Sequence, residues 1–189
     1  MGRDAARRRM STEELFRSHA PFVARMLYRL GVPAAELDDV LQEVFVVVHR
    51  LGGYEPGAAT PTTYLANIAV KAAASARRRE DARRVRHSVS ASDELSSPSR
   101  GPVQLLELRD DMLELESVLA ALEPELRAVF ILVELEGESC AHIAASQRIP
   151  VGTVYWRLHR ARRKFHGIVK RRNGRLQAYA LSNAEGRCP

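Results

Sequence analysis

Apolar residues recur at three- and four-residue intervals along most of this chain and hardly anywhere at intervals of two. That period collects side chains on one face of a helix, whereas a half-buried strand needs alternation. Leu15, Phe16, His19, Phe22, Val23, Met26, Leu27 and Leu30 form one such stripe over Glu13–Leu30, with Ser11 or Thr12 as N-cap and Glu13 and Glu14 in the first turn. Gly31-Val32-Pro33 ends it. Leu37, Val40, Leu41, Val44, Phe45, Val48 and Leu51 predict a second helix over Ala34–Leu51. The Val46-Val47-Val48 run is a competing strand signal, outweighed by the period on either side. Gly52 through Pro61 reads as a loop, and Thr62 to about Arg79 as a third, alanine-rich helix.

The segment from His87 to Pro102, HSVSASDELSSPSRGP, has the composition of a flexible linker. Beyond it Leu105–Leu122 is helical, Pro124 sits in the first turn of a helix reaching about Glu136, and Gly137 stops that helix. Ser139 caps a short helix through Ser146, Ile149-Pro150 breaks the chain, and a last helix runs from Val151 to about Lys170. The expected fold is all-α: a domain over residues 13–80, a linker over 81–114, and a helix-turn-helix four-helix domain over 115–172. Tails at 1–12 and 173–189 flank them.

Hydrophobic residues make up 46% of the 189 positions, which excludes a wholly disordered chain. Apolar stretches such as Val44–Val48 fall far short of the roughly 20 residues that span a bilayer. Arg7–Arg9 lead into Ser11-Thr12-Glu13-Glu14 rather than into the apolar core of a signal peptide. With only Cys140 and Cys188 there is no disulfide framework, and a reducing cytoplasm is the expected location.

The net charge of +6 conceals a stronger pattern. Lys71–Arg86 holds seven bases against two acids, and Arg157–Arg172 eight bases and no acid. Between them, Asp93–Glu138 holds twelve acids and three bases. Two basic blocks around an acidic segment fit two footprints on one polyanion, with solvated helix faces as the plainer reading.

The last two helices have helix-turn-helix spacing. Val154, Leu158, Ala161 and Phe165 would pack on Ile143 and Ala144, leaving Thr153, Tyr155, Trp156, Arg157, His159, Arg160, Arg162 and Arg163 outward. Such a helix can enter a major groove with its N-terminal half while later arginines meet phosphates. A basic hairpin in a protein contact is the alternative, and Trp156 borders the apolar stripe closely enough to be a buried anchor. On the second helix Asp39, Gln42, Glu43 and Val46 form an exposed patch opposite the apolar stripe, with no accompanying catalytic group or metal constellation.

Three stretches resemble the extracytoplasmic-function (ECF) class of sigma factors, the two-domain specificity subunits of bacterial RNA polymerase. Asp39-Val-Leu-Gln42-Glu43-Val-Phe45 fits the family's D-x-x-Q-E-x-F helix. Tyr54-Glu55-Pro56 through Tyr64-Leu65-Ala-Asn-Ile68-Ala69 resembles the loop and helix that follow it. Leu122–Phe130, Glu134–Gly137, Ile149–Val154 and Arg157–Arg162 resemble the second domain. The resemblance covers about residues 13–80 and 115–170, in the family's order.

It implies a role for each patch. Asp39, Gln42, Glu43 and Val46 would bind the clamp helices of the polymerase largest subunit, and the second domain the β-subunit flap. Tyr54, Tyr64, Asn67, Lys71, Arg77 and Arg78 would open and read the promoter −10 element, where an extruded base needs a pocket and the strand needs cations. Thr153, Tyr155, Trp156, Arg157, Arg160 and Arg163 would read the −35 element as duplex. The linker would thread through the polymerase, and an anti-sigma factor would occlude one or both domains.

The chain departs from the family pattern in several places. Tyr64 stands for a usual Trp, Lys71 for Asn, Ser75 for Asp and Pro61 for Phe. Arg148 occupies a usual Gly position, Gln147 a usual apolar one, and Tyr155-Trp156 a usual basic–small pair. No phosphate loop or nucleophile–base constellation points to an enzyme, no cofactor or small-molecule substrate is implied, and Cys140 with His142 lacks the further ligands a zinc site needs. The competing function is a conventional helix-turn-helix regulator that binds DNA without core polymerase, as a dimer on a two-fold site.

Overall fold

A computed structural model describes residues 8–87 and 113–172. Ser11 is the N-cap of α1 (Thr12–Arg29). Its hydroxyl accepts from the Glu14 amide at 3.2 Å while its own amide donates to the Glu14 carboxylate at 2.9 Å. This reciprocal box satisfies two donors that a helix start otherwise orphans. The same backbone bond from Ser11 is the main reason the Glu14 carboxyl titrates below its usual range.

The expected helix over 34–51 begins with a 3-10 turn at Ala34–Glu36, and α2 proper is Leu37–Arg50. Leu51, placed on its apolar stripe, instead caps the helix and is 62% exposed. The third helix, α3, runs from Pro61 to His87, eight residues beyond Arg79. Pro61 suits the first helical position, where its missing amide costs nothing. Leu15, Val23, Met26 and Leu27 of α1 pack with Val40, Val44 and Val48 of α2 and with Leu65, Ala69, Ala73 and Ala76 of α3.

The loop before α3 is pinned at both ends. Met10 and Tyr54 exchange backbone hydrogen bonds of 3.0 and 2.9 Å in an isolated bridge. Gly53 makes this approach possible: its φ is +90°, and a Cβ there would lie 2.4 Å from the Met10 carbonyl oxygen. The buried Tyr54 donates its hydroxyl to Ala59 O at 2.7 Å, and Tyr64 donates to Gly53 O at 3.0 Å.

The second domain comprises α4 (113–120), α5 (Pro124–Phe130), a π-helical turn over Ile131–Leu135, α6 (Cys140–Gln147) and α7 (Val151–Arg172). Ser139 caps α6, accepting from the His142 amide at 3.1 Å. Arg148 ends it with φ 56°, so the position where the family has glycine is left-handed here too. Val154, Leu158, Ala161 and Phe165 are all buried against Ile143 and Ala144, as their spacing predicts. Phe165 also stacks on Phe130, with ring centroids 4.7 Å apart.

The two domains touch directly. Tyr28 donates to Glu116 at 2.8 Å, Arg29 to Glu136 at 2.8 Å, and Thr60 to Glu138 at 2.9 Å. At the centre lies Arg127, 5% exposed, which donates to Leu30 O in the first domain and to Ala120 O and Leu122 O in its own. The expected linker over 81–114 begins as the end of α3, and its stretch 88–112 lies outside the described residues.

Gly53→Ala tests the pinned loop. A methyl at that φ meets backbone rather than a movable side chain, so we expect a loss of about 2–4 kcal/mol, read as a lower midpoint in thermal unfolding.

Candidate nucleic-acid interface

Asp39, Gln42 and Val46 stand on the solvent face of α2, the last of them 48% exposed, with Val47 at 38% beside it. Glu43 shares that face but has a partner. Arg79 of α3 grips its carboxylate with two bonds of 2.7 and 3.0 Å, and this pairing is the main cause of the raised Arg79 pKa. One turn away Arg83 bridges Glu36 and Glu80 at 3.1 and 3.2 Å. Two members of the first basic block are therefore bound to the acidic helix.

The residues expected at the −10 element divide. Tyr54, expected at the −10 element, is 2% exposed and braces the loop from within. Tyr64 is half-buried with its ring 5.7 Å from that of Tyr54, and burial pushes both phenols up. Its hydroxyl is held on Gly53 O, a loop brace rather than a free edge. Asn67 donates to Ser146 O of α6 at 3.0 Å, so the second domain covers it. Lys71 and Arg78 are exposed, and Lys71 and Arg77 line a cleft of about 540 Å³ between the domains.

The last helix divides similarly. Tyr155 and Trp156 are 41% and 56% exposed, so Trp156 is not a buried anchor. Arg160 lies 5.2 Å from the centre of the Trp156 ring, and both face the interdomain cleft. Arg157 bonds Glu125 at 2.6 Å and Gln147 at 3.3 Å, its side chain only 19% exposed. Arg162 does not point outward: it clasps Glu134 at 2.6 and 2.8 Å. Thr153 is half-buried near the start of α7, while Arg160 and Arg163 are exposed. Cys140 is buried and His142 lies 3.4 Å from Glu138, so these two do not converge on a shared site.

Sequence reading missed Arg127 and Arg79. Arg127 carried a signal, a lone base inside the apolar run Leu126–Val133. Arg79 carried none, since three successive arginines give no clue which one faces α2.

The family model for Sigma-70 region 2 matches residues 15–83, and that for Sigma-70, region 4 matches residues 112–165. The chain is 33% identical over 159 residues to the RNA polymerase sigma factor CarQ of Myxococcus xanthus, covering 83% of this chain and 88% of that protein. It is 30% identical over 146 residues to the ECF RNA polymerase sigma-E factor of Escherichia coli K12, covering 74% and 76%. This chain belongs to the ECF class of sigma-70 factors. It is also 31% identical over 160 residues to the ECF RNA polymerase sigma factor SigE of Mycolicibacterium smegmatis, spanning 84% of itself and 62% of that protein's length. The fold resembles the sigma factor RpoE of Bartonella quintana, solved with the anti-sigma factor NepR, at TM-score 0.62 and 21% identity over 84% of this chain and 96% of that one. It also resembles CnrH, solved with the cytosolic domain of CnrY, at TM-score 0.60 and 22% identity over 84% and 87%.

A sigma factor gives RNA polymerase its choice of promoter, and regions 2 and 4 of the sigma-70 family are both present here, in order. With both regions matched and sigma factors as relatives, the reading as a regulator independent of polymerase is not favoured.

The arginines of α7 separate by experiment. Arg163→Ala removes an exposed cation and should weaken duplex binding while lowering the salt slope by about one. Arg162→Ala removes a Glu134 partner and should lower the unfolding midpoint while leaving the salt slope unchanged, measured by anisotropy against salt and by calorimetry.

Proposed function

We propose that this sigma factor binds core polymerase through the solvent face of α2, reads and opens the −10 element with α3 and its preceding loop, and reads the −35 element with α7. The observation that carries the first part is the pair of exposed valines, Val46 and Val47, beside Asp39 and Gln42. Apolar side chains ringed by hydrogen-bonding groups suit a protein partner better than water. Asp39 supplies charge for register and encounter, and Glu43 a carboxylate already oriented by Arg79.

In the first domain Lys71, Arg77 and Arg78 are the cations for an opened strand, and Asn67 is the polar group for an unpaired base. Tyr54 and Tyr64 act one step back, holding the loop from Gly53 to Thr60 in shape. In the second, Trp156 offers an apolar edge to a thymine methyl and Arg160 and Arg163 meet base edges or phosphates. Thr153, Tyr155 and Arg157 complete that face, with Arg157 needing release from Glu125. Polymerisation chemistry belongs to the core enzyme, so the chain itself is no enzyme, and it works where the polymerase works, in the cytoplasm. RpoE was captured with the anti-sigma factor NepR and CnrH with the cytosolic domain of CnrY, and an anti-sigma factor is the corresponding partner here.

Charge reversal at both Asp39 and Glu43 should weaken core binding at least tenfold in a titration of labelled protein with core, while duplex binding by α7 is retained. Unchanged core affinity in the double variant would remove α2 from the interface.

A further inference from the structure

The cleft at the seam between the two domains is apolar in body and basic in charge. Val70, Ala73, Ala74 and Arg77 recur at three- and four-residue spacing, so all four lie on one face of α3, with Lys71 beside them. Pro124 and Leu126 of α5 and Trp156 and Arg160 of α7 supply the other wall. Two successive alanines keep the α3 wall shallow, and Trp156 is left 56% exposed rather than packed.

Charge in the cleft is not balanced. Lys71, Arg77 and Arg160 have no ion pair among the described residues. Glu123 and Glu125 also line it, but their carboxylates are held by Lys164 and Arg157. Further along α3 the arginines are neutralised within the domain, Arg79 by Glu43 and Arg83 by Glu36 and Glu80. Arg77, half-buried on the cleft side, is not. It also stands near enough to the buried Arg127 to add to desolvation in lowering that residue's pKa. An anion beside Arg77 would relieve a repulsion that the fold leaves in place.

At about 540 Å³ the cleft falls within the roughly 300–1,000 Å³ of small-molecule sites. A bare inorganic anion would leave its apolar lining uncovered, and a neutral hydrocarbon would leave its cations unmet. An exposed indole with a guanidinium 5.2 Å from its ring centre favours a flat aromatic partner. The lining holds no side-chain amide or hydroxyl, so the mixed donors and acceptors of a nucleobase edge are poorly matched. We infer that this cleft binds a small aromatic anion, a fused-ring apolar body carrying one phosphate or carboxylate, with the ring laid on Trp156 and the head on Arg77 and Lys71. Such a ligand differs in class from the promoter and polymerase contacts proposed above, although it shares side chains with them, and its binding is read without DNA or core.

Trp156 is the chain's one tryptophan, so its indole N–H gives a single reporter resonance in the nitrogen-15-labelled full chain. Titration with 1-naphthyl phosphate at neutral pH should shift that resonance to saturation. Inorganic phosphate, 1-naphthol and thymidine 5′-monophosphate offer the head alone, the body alone and a polar ring. Each should bind more weakly by about tenfold or more. Arg77→Gln should weaken 1-naphthyl phosphate by about fivefold or more. Arg50→Gln, which removes an exposed cation of α2 outside the cleft, should leave it unchanged. Ala74→Phe should fill the cleft and abolish the shift. The site is overturned by the absence of a saturable shift, or by equal binding of any of the three partial ligands. Affinity retained in Arg77→Gln or in Ala74→Phe, or an equal loss in Arg50→Gln, overturns it as well. The Arg77 and Arg50 variants decide alone if Ala74→Phe does not fold. Transcription by the unaltered chain with core tests the sigma-factor reading separately.

Discussion

Arg127 has no carboxylate against it: among the described residues its guanidinium is met by the carbonyl oxygens of Leu30, Ala120 and Leu122. Leu30 caps α1, and Ala120 and Leu122 lie at and just beyond the end of α4, so the charge rests between two helix C-termini, where backbone dipoles present partial negative charge. Desolvation, the first cause, pulls its pKa down, with nearby Arg77 adding to the effect, and its Nε is buried without a partner. Such a group is costly to strand, since truncation would leave three carbonyls facing apolar surroundings. Gly31, at φ +87°, leaves room for it, as a Cβ there would stand 3.1 Å from the guanidinium. One side chain thus fixes the loop between α4 and α5, closes the end of α1, and sets the distance between domains.

The long helix α3 sorts its own charges by face. Arg79 and Arg83 turn to the carboxylates of α2, Arg77 and Lys71 to the interdomain cleft, and Arg78 to solvent. The net +5 block is therefore not a single footprint on DNA. Part of it is spent within the domain, coupling the helix that would meet the promoter to the helix that would meet polymerase. Exposed ion pairs contribute little stability, about 0–1 kcal/mol each, so the Arg79–Glu43 fork matters more for where it holds the carboxylate than for how tightly it holds the fold.

Much of this architecture was legible in the residues. Ser11 with Glu14, Pro124, Gly137 and Ser139 announce helix boundaries because capping chemistry is local. The stripe through Val154, Leu158, Ala161 and Phe165 is legible for the same reason, since a period needs no knowledge of distant chain. The burial of Tyr54 was not legible, because a tyrosine in a glycine-rich loop gives no sign that its hydroxyl will find Ala59 O inside the domain. Arg162 was misread because its partner, Glu134, lies on another helix. The contact between domains was invisible for a deeper reason: its bonds join residues 78 to 107 positions apart and leave no periodic trace.

The π-helical turn at Ile131–Leu135 is where a change of chain length would act on both levels at once. Its wider winding, with the Glu136 amide reaching back to Ile131 O, sends Glu134 to Arg162 within the second domain and Glu136 to Arg29 across the seam. Two acids two positions apart thereby serve different masters, one structural and one conformational. Removing a single residue here would tighten the winding to an ordinary α-turn and rotate the second acid by about 100°, away from Arg29. The length of one turn, rather than the identity of any side chain, thus decides which way Glu136 faces.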